Sequence, residues 1–108
     1  ITASVQGDTP SAYANTIVTS GATYNSLNTD TRIIVDKTVG SATSVVLLAS
    51  DSYGQPILVK DGKGDADLNP ITVTFTGGEL MDGLSSVTIN TPFGFYWFNP
   101  LDAGFYGT

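Results

Sequence analysis

The residues that could do chemistry are few in this chain, and their types exclude most mechanisms. The 108 residues include no histidine and no cysteine. Because a serine or cysteine nucleophile relies on a neighbouring base, neither a Ser-His-Asp nor a Cys-His arrangement can form. Zinc sites built from imidazole and thiolate ligands are excluded as well. Only carboxylates and amides remain as candidate acids, bases or metal ligands.

One pair of carboxylates has the residue types of a glycosidase. Glu79 and Asp82 stand three residues apart in a glycine-flanked segment. Two carboxylates suffice for glycoside hydrolysis, but the acid needs a pKa raised by an apolar pocket. A turn rarely offers such a pocket, so both side chains are interpreted as solvated turn charges. The sequence therefore predicts no catalytic residue and no enzyme.

A second polar cluster lies in the segment 61–70, which reads DGKGDADLNP. Asp65, Asp67 and Asn69 alternate as the oxygen ligands of calcium loops do. The EF-hand pattern then fails, because it needs glycine where the proline stands and glutamate where Thr76 stands. The other interpretation is a connection between strands, with glycines at positive φ and Asp and Asn side chains bonded to turn amides. The sequence favours this connection over a bound cation, and it predicts no metal and no cofactor.

The elements that must position these residues are β-strands. No segment has a convincing 3.6-residue apolar period, whereas short β-branched or aromatic runs recur between Gly, Asp, Asn, Ser and Pro. This spacing predicts an all-β fold, an antiparallel β-sandwich or jelly roll, in one domain over residues 1–108. Residues 1–8 read as a possible linker, and 19–22 and 25–30 as turns. The predicted strands are 3–6, 13–19, 31–37, 43–49, 56–61, 71–76, 85–90, 92–98 and 103–106.

Two predicted strands differ in the burial that they require. Strand 71–76 alternates between apolar residues and threonine, so one face packs on a core and the other meets solvent. Strand 92–98 is apolar on both faces, and a small sandwich covers only the inner one. A neighbouring subunit, or residues 101–106 folding back, would cover the outer face; we favour the subunit because an exposed aromatic patch associates. The expected subunit interface is Phe93, Phe95, Tyr96, Trp97 and Phe98.

The charge balance excludes several partners. Four Lys and Arg residues face ten Asp and Glu residues, for a net charge of −6. Nucleic-acid binding depends on clustered basic residues, and so does attraction to an anionic membrane surface. No apolar run is long enough to span a bilayer, so we expect no stable membrane insertion. The low charged fraction and the many threonines and serines suggest a hydroxyl-rich surface that suits an extracellular protein.

Five segments, in their order, resemble a recurring domain of bacteriophage tail fibres and tail needles. They are TRIIV at 31–35, VVLL at 45–48, GQPILVKD at 54–61, NPITV at 69–73 and SSVTIN at 85–90. The resemblance spans roughly residues 31–98. Within that family, the size of the domain is most similar to that of the distal knob of the tail needle of short-tailed phages. Such knobs are trimeric jelly rolls of tumour-necrosis-factor type.

The resemblance implies a homotrimer at the tail tip of a virion, outside the cell, that meets the outer membrane of a Gram-negative host or its glycans. It supplies no receptor-contacting residues, so we assign host contact to two loops that we expect to be exposed. These residues are Asp51, Ser52, Tyr53, Asp61, Lys63, Asp65, Asp67 and Asn69. Tyr53, at an apparent turn tip, is the aromatic residue best placed to stack on a sugar. The alternative function is a monomeric carbohydrate-binding module of a secreted bacterial protein.

Overall fold

The computed structural model describes residues 15–102 and 105–107. Within these ranges the chain forms ten β-strands and no α-helix, which confirms the predicted all-β class. Short 3₁₀ turns occur at Ser50–Ser52 and Thr76–Gly78. The predicted strand 3–6 lies outside the described residues. The strands are β1 Asn15–Val18, β2 Thr23–Asn25, β3 Arg32–Val35, β4 Thr43–Leu47, β5 Ile57–Asp61, β6 Ile71–Phe75, β7 Leu80–Met81, β8 Ser86–Ile89, β9 Phe95–Asp102 and β10 Phe105–Gly107.

The first six strands alternate between two sheets. β1, β3 and β5 pair in parallel in sheet A, and β2, β4 and β6 pair in parallel in sheet B. The chain therefore winds as three coils, each of which contributes one strand to each sheet. β8 adds to β6 and β9 adds to β5, both antiparallel. β10 then lies between β9 and β7, so that sheet A has six strands and sheet B four.

The predicted antiparallel pairing is wrong for these first six strands. A hairpin places neighbours in sequence side by side, whereas here each turn carries the chain to the opposite sheet. Each strand of the coils therefore pairs with the strand two places earlier or later in the chain. The coils also differ in length: Thr23 pairs with Ser44, and Thr43 pairs with the more distant Ile71. The jelly-roll expectation rested on antiparallel pairing between neighbouring strands. The strands of the three coils pair in parallel instead.

The inward faces of the two sheets share one core. Strand alternation places the apolar residues there: Ile71, Val73 and Phe75 are buried, as their pattern predicts. The Phe75 ring of sheet B packs against Phe98 and Tyr106 of sheet A, with centroids 5.9 and 5.1 Å away. Burying side chains of this size stabilises the fold by roughly 1.5–3 kcal/mol each. These contacts hold the two sheets together, and the opposite face of each sheet points outward.

Candidate functional site

The outer face of sheet B is polar. A row of hydroxyl side chains crosses all four strands, because each residue of the row is paired with the next. The row consists of Thr23, Ser44, Thr72 and Thr88. Thr74 and Ser86 extend the same chemistry along β6 and β8. This face is typical of a sheet that meets water.

The outer face of sheet A is apolar and aromatic. Two rows cross it: Ile17, Ile34, Lys60 and Phe95 form one, and Asn15, Arg32, Leu58 and Trp97 form the other. Phe95 is 55% exposed and Trp97 is 41% exposed. A sheet with one inner and one outer face needs only one of them apolar. The outer face of sheet A is therefore more apolar than the fold itself requires.

A shallow depression of about 270 Å³ lies in the middle of this face, and we call it the aromatic groove. Its lining residues are Arg32, Leu58, Lys60, Phe95 and Trp97. The ammonium of Lys60 donates to the carbonyl oxygen of Phe93 at 2.6 Å and lies 5.5 Å from the centroid of the Phe95 ring. A cation at this distance from an aromatic face is attracted to it. The groove thus combines flat rings with positive charge.

The far side of the same face carries apolar residues and an acid, and we call it the acidic edge. It consists of Leu80, Asp82, Leu101 and Phe105. Phe105 is paired with Leu80, and a Cβ atom on Gly107 would lie 2.6 Å from Leu101 Cδ1 and 3.3 Å from Asp82 Oδ1. All four residues are exposed. They form one patch around Gly107.

Four of the five expected interface residues are exposed, and one is not. Phe93, Phe95, Tyr96 and Trp97 are each more than two-fifths exposed. Phe98 is fully buried, so its assignment to a subunit interface is wrong. Side chains alternate along β9, and Phe95 and Trp97 therefore face outward while Phe98 points into the core. Tyr96 also lies on the inward side, with its ring centroid 6.2 Å from that of Phe98.

The described residues of the 101–106 segment do not cover the aromatic groove. Leu101 and Asp102 belong to β9, and β10 pairs antiparallel with β9 and extends the sheet sideways. Of the two covers that the sequence left open, the described residues exclude the folded-back segment.

Tyr53 is not the exposed turn tip that the sequence suggests. The side chain is 7% exposed, and the 3₁₀ turn before it directs the ring inward against Tyr106, with centroids 6.4 Å apart. Its hydroxyl accepts the Leu48 N–H at 2.9 Å and shares a hydrogen bond with the Ser26 hydroxyl. Burial raises its pKa. Tyr53 therefore supports the loop from inside, and of its predicted neighbours Asp51 is exposed.

Asp61 is also buried, so its assignment to host contact is wrong. Its Oδ1 accepts the N–H groups of Lys63 at 3.1 Å and Gly64 at 3.0 Å. Its Oδ2 accepts those of Ala66 at 2.9 Å and Phe93 at 3.0 Å. Burial alone would raise the pKa of Asp61, but these four donors together hold the pKa below its usual value. Asp61 shapes the loop and ties it to Phe93, two residues before β9.

The rest of the 62–70 connection closes through its own hydrogen bonds. Asn69 Nδ2 donates to Asp65 Oδ2 at 2.9 Å, and the N–H groups of Leu68 and Asn69 donate to the Asp65 carbonyl oxygen. Lys63 and Asp67 are exposed, whereas Asp65 and Asn69 are half-buried. Across the described residues, no group of three or more acidic side chains is placed to hold a metal ion. The Asp65 and Asn69 side chains therefore bond to each other within the connection.

Two buried polar residues were not anticipated from the sequence. Lys37 Nζ donates to the carbonyl oxygens of Gly21 at 2.8 Å and Ala42 at 3.1 Å, and to the Ser41 hydroxyl at 2.6 Å. Asp30 accepts the Thr16 and Tyr24 hydroxyls and the Leu27 N–H. Burial and the Asp30 carboxylate raise the pKa of the Tyr24 hydroxyl. In the sequence, each of them is a lone charged residue beside a turn. Exposed charged residues have the same pattern, so the pattern does not reveal burial.

Comparison with known proteins adds no relative. No protein-family model matches the chain, and no curated protein is significantly similar to it. Among the helical segments that the structure describes, none is long and apolar enough to cross a membrane.

Proposed function

We propose that this domain is the non-enzymatic distal tip of a bacteriophage tail needle or tail fibre. In this role it works as a homotrimer outside the cell and contacts the surface of a Gram-negative host during attachment or penetration. The biological setting comes from the resemblance of residues 31–98 to tail-tip domains. The observation that best supports a trimer is the contrast between the aromatic outer face of sheet A and the hydroxyl-rich outer face of sheet B.

Self-association follows from the exposed aromatic surface. Phe95 and Trp97 are exposed on β9 among the residues that the structure describes. Packing these rings against another copy removes apolar area from water, at roughly 25 cal/mol per Å². Because association stabilises only the folded state, it also strengthens a domain that has no disulfide to protect it outside a cell.

Two exposed loops are the candidate host-contact surfaces, and they lie at opposite ends of β5: the turn at 50–53 precedes the strand and the 62–70 connection follows it. Asp51, Lys63 and Asp67 extend into solvent, with Ser52, Asp65 and Asn69 partly exposed beside them. The buried side chains of Tyr53 and Asp61 hold these two loops in fixed shapes. A rigid loop loses little conformational freedom on binding, which favours recognition of outer-membrane glycans or proteins.

Binding to bacteria tests the host-contact role. Fluorescently labelled protein is added to a panel of Gram-negative strains with complete and truncated lipopolysaccharide. We expect saturable binding to some strains, and a loss of at least fivefold in affinity for the double variant Lys63→Ala, Asp67→Ala, as removing two contact side chains predicts. The control Ser44→Ala, on sheet B, keeps wild-type affinity. Absence of saturable binding to every strain would refute the proposal.

The aromatic groove favours one other function, carbohydrate binding by a monomer. Trp97 and Phe95 present flat rings beside Lys60 and Arg32, which is an arrangement suited to sugar stacking. In that case the groove must remain open, and the protein sediments as a single chain of 11.2 kDa. The tail-tip proposal instead expects the mass of three chains. Sedimentation equilibrium separates the two functions.

A further inference from the structure

We infer that copies of this chain associate head to tail, with the aromatic groove of one copy binding the acidic edge of the next. The inference rests on the homotrimer proposed above. In a cyclic trimer every contact joins two different surfaces of the chain. A trimer held by sheet A therefore needs two complementary patches, and its outer face carries two patches of different character.

The charges of the two patches are complementary. The chain has a net charge of −6 and only four basic residues, yet Arg32 and Lys60 both belong to the aromatic groove. The acidic edge has Asp82 among Leu80, Leu101 and Phe105. Opposite charges at the border of an apolar contact steer association and set its register.

The two patches occupy different strands of sheet A. In sheet A the strand order is β1, β3, β5, β9, β10, β7. The groove is formed by β3, β5 and the first half of β9, and the edge by the end of β9, β10 and β7. The two patches therefore adjoin along β9, with the groove on its β5 side and the edge on its β10 side. Contact of groove with groove would place the Lys60 and Arg32 side chains of both copies in one interface, which like-charge repulsion disfavours.

Charge reversal tests the pairing of the patches. Lys60→Glu and Asp82→Lys are each expected to weaken association at least tenfold, because each places like charges at the contact. The double variant is expected to recover to within about threefold of wild type. Thr88→Glu, which adds a carboxylate to the outer face of sheet B, has no effect. Thermal unfolding of each variant verifies folding, and a double variant as weak as the sum of the singles would overturn the inference.

A mixing experiment tests the same contact without relying on one charge pair. The groove variant carries Lys60→Glu and Trp97→Ala, and the edge variant carries Leu80→Ser and Phe105→Ser. Alone, each is expected to sediment as a monomer of 11.2 kDa. Mixed in equal amounts, they retain one intact groove and one intact edge, and we expect a 1:1 complex with twice the monomer mass.

The outcomes separate this inference from the proposed function. A wild-type trimer whose two variants form no complex when mixed would refute the head-to-tail contact and leave the trimer standing. A wild-type monomer would refute the trimer itself, and the inference with it. A 1:1 complex on mixing supports the head-to-tail contact directly.

Discussion

Asp61 shows at the residue scale why local sequence can mislead about exposure. An aspartate followed by Gly-Lys-Gly reads as a solvated turn charge, and three of its four amide donors do come from the same loop. The fourth donor is Phe93, 32 residues away, and it closes the site over the carboxylate. The same holds for Tyr53, whose partner Ser26 is 27 residues distant. Long-range partners of this kind leave no pattern in the local sequence.

Removing the Asp61 carboxylate should destabilise the domain strongly. Asp61→Ala leaves four N–H groups without their acceptor in a buried place, and we expect a loss of about 2–4 kcal/mol in the free energy of unfolding. Asp67→Ala is the matched control, because it removes the same charge from an exposed position of the same loop. It should change stability by less than about 0.5 kcal/mol. Urea unfolding measures both, and equal effects would contradict the assigned role.

The lowered pKa of Asp61 predicts a loss of stability in acid. The folded state holds the carboxylate ionised below its ordinary pKa of 3.8, so on acidification the unfolded chain takes up the proton first. The stabilisation is therefore complete above about pH 5 and declines as the pH falls through the ordinary pKa and below. Urea midpoints measured from neutral to strongly acidic pH follow this decline. Asp61→Asn should show a shallower decline than wild type, and an unchanged decline would count against the mechanism.

Gly64 is required by the same loop. Its φ is +89°, and a Cβ atom would lie 2.4 Å from Cζ of Phe93. Gly64→Ala should cost about 1–3 kcal/mol, from left-handed strain and displacement of that ring. Gly54→Ala is the control, since nothing lies within 4 Å of its Cβ position and its φ is ordinary. Thermal unfolding should show a lower Tm for the first variant only; a normal Tm for Gly64→Ala would contradict the geometry.

At the scale of elements, alternation predicts the strands but not their partners. The segments of β3, β4, β5, β6 and β8 all fall within predicted strands, because β-branched runs bounded by turn residues are a local signal. Whether a turn returns to the same sheet or crosses to the opposite one depends on packing far away in sequence. The unequal coils also conceal any repeat. The two-residue β7 and three-residue β2 are too short to leave a pattern.

Lys37 should hold the first two coils together. Its ammonium bonds to both the turn after β1 and the turn after β3, at Gly21 and Ala42. Lys37→Met keeps the apolar stem but leaves those carbonyls without a donor, at a cost of about 2–3 kcal/mol. Hydrogen exchange should quicken at the amides of Thr38 and Ser44, which donate to carbonyl oxygens of the first turn.

Lys63→Met provides the control for this exchange measurement. Lys63 lies in the 62–70 connection and is exposed, so its replacement should leave the two amides as protected as in wild type. Equal protection in both variants would show that Lys37 does not join the coils.

At the scale of the whole molecule, the outer faces of the two sheets differ, since that of sheet A is aromatic and that of sheet B is rich in hydroxyl groups. The doubly apolar pattern of β9 is visible in the sequence, and the structure places its outward half on an open face, with Phe98 inside. The acidic edge was not foreseen, because Leu80, Leu101 and Phe105 come together only when β10 lies between β9 and β7. A surface patch that is assembled from strands distant in sequence can be predicted only when the strand order is known.

Self-association through the outer face of sheet A is the central claim, and sedimentation equilibrium tests it most directly with matched charge insertions. Phe95→Glu places a carboxylate in the aromatic groove, and Thr88→Glu places one on the outer face of sheet B. We predict the mass of three chains for wild type and Thr88→Glu, and the mass of one chain, 11.2 kDa, for Phe95→Glu. A wild-type mass of one chain, or a Phe95→Glu protein that remains trimeric, would contradict the account.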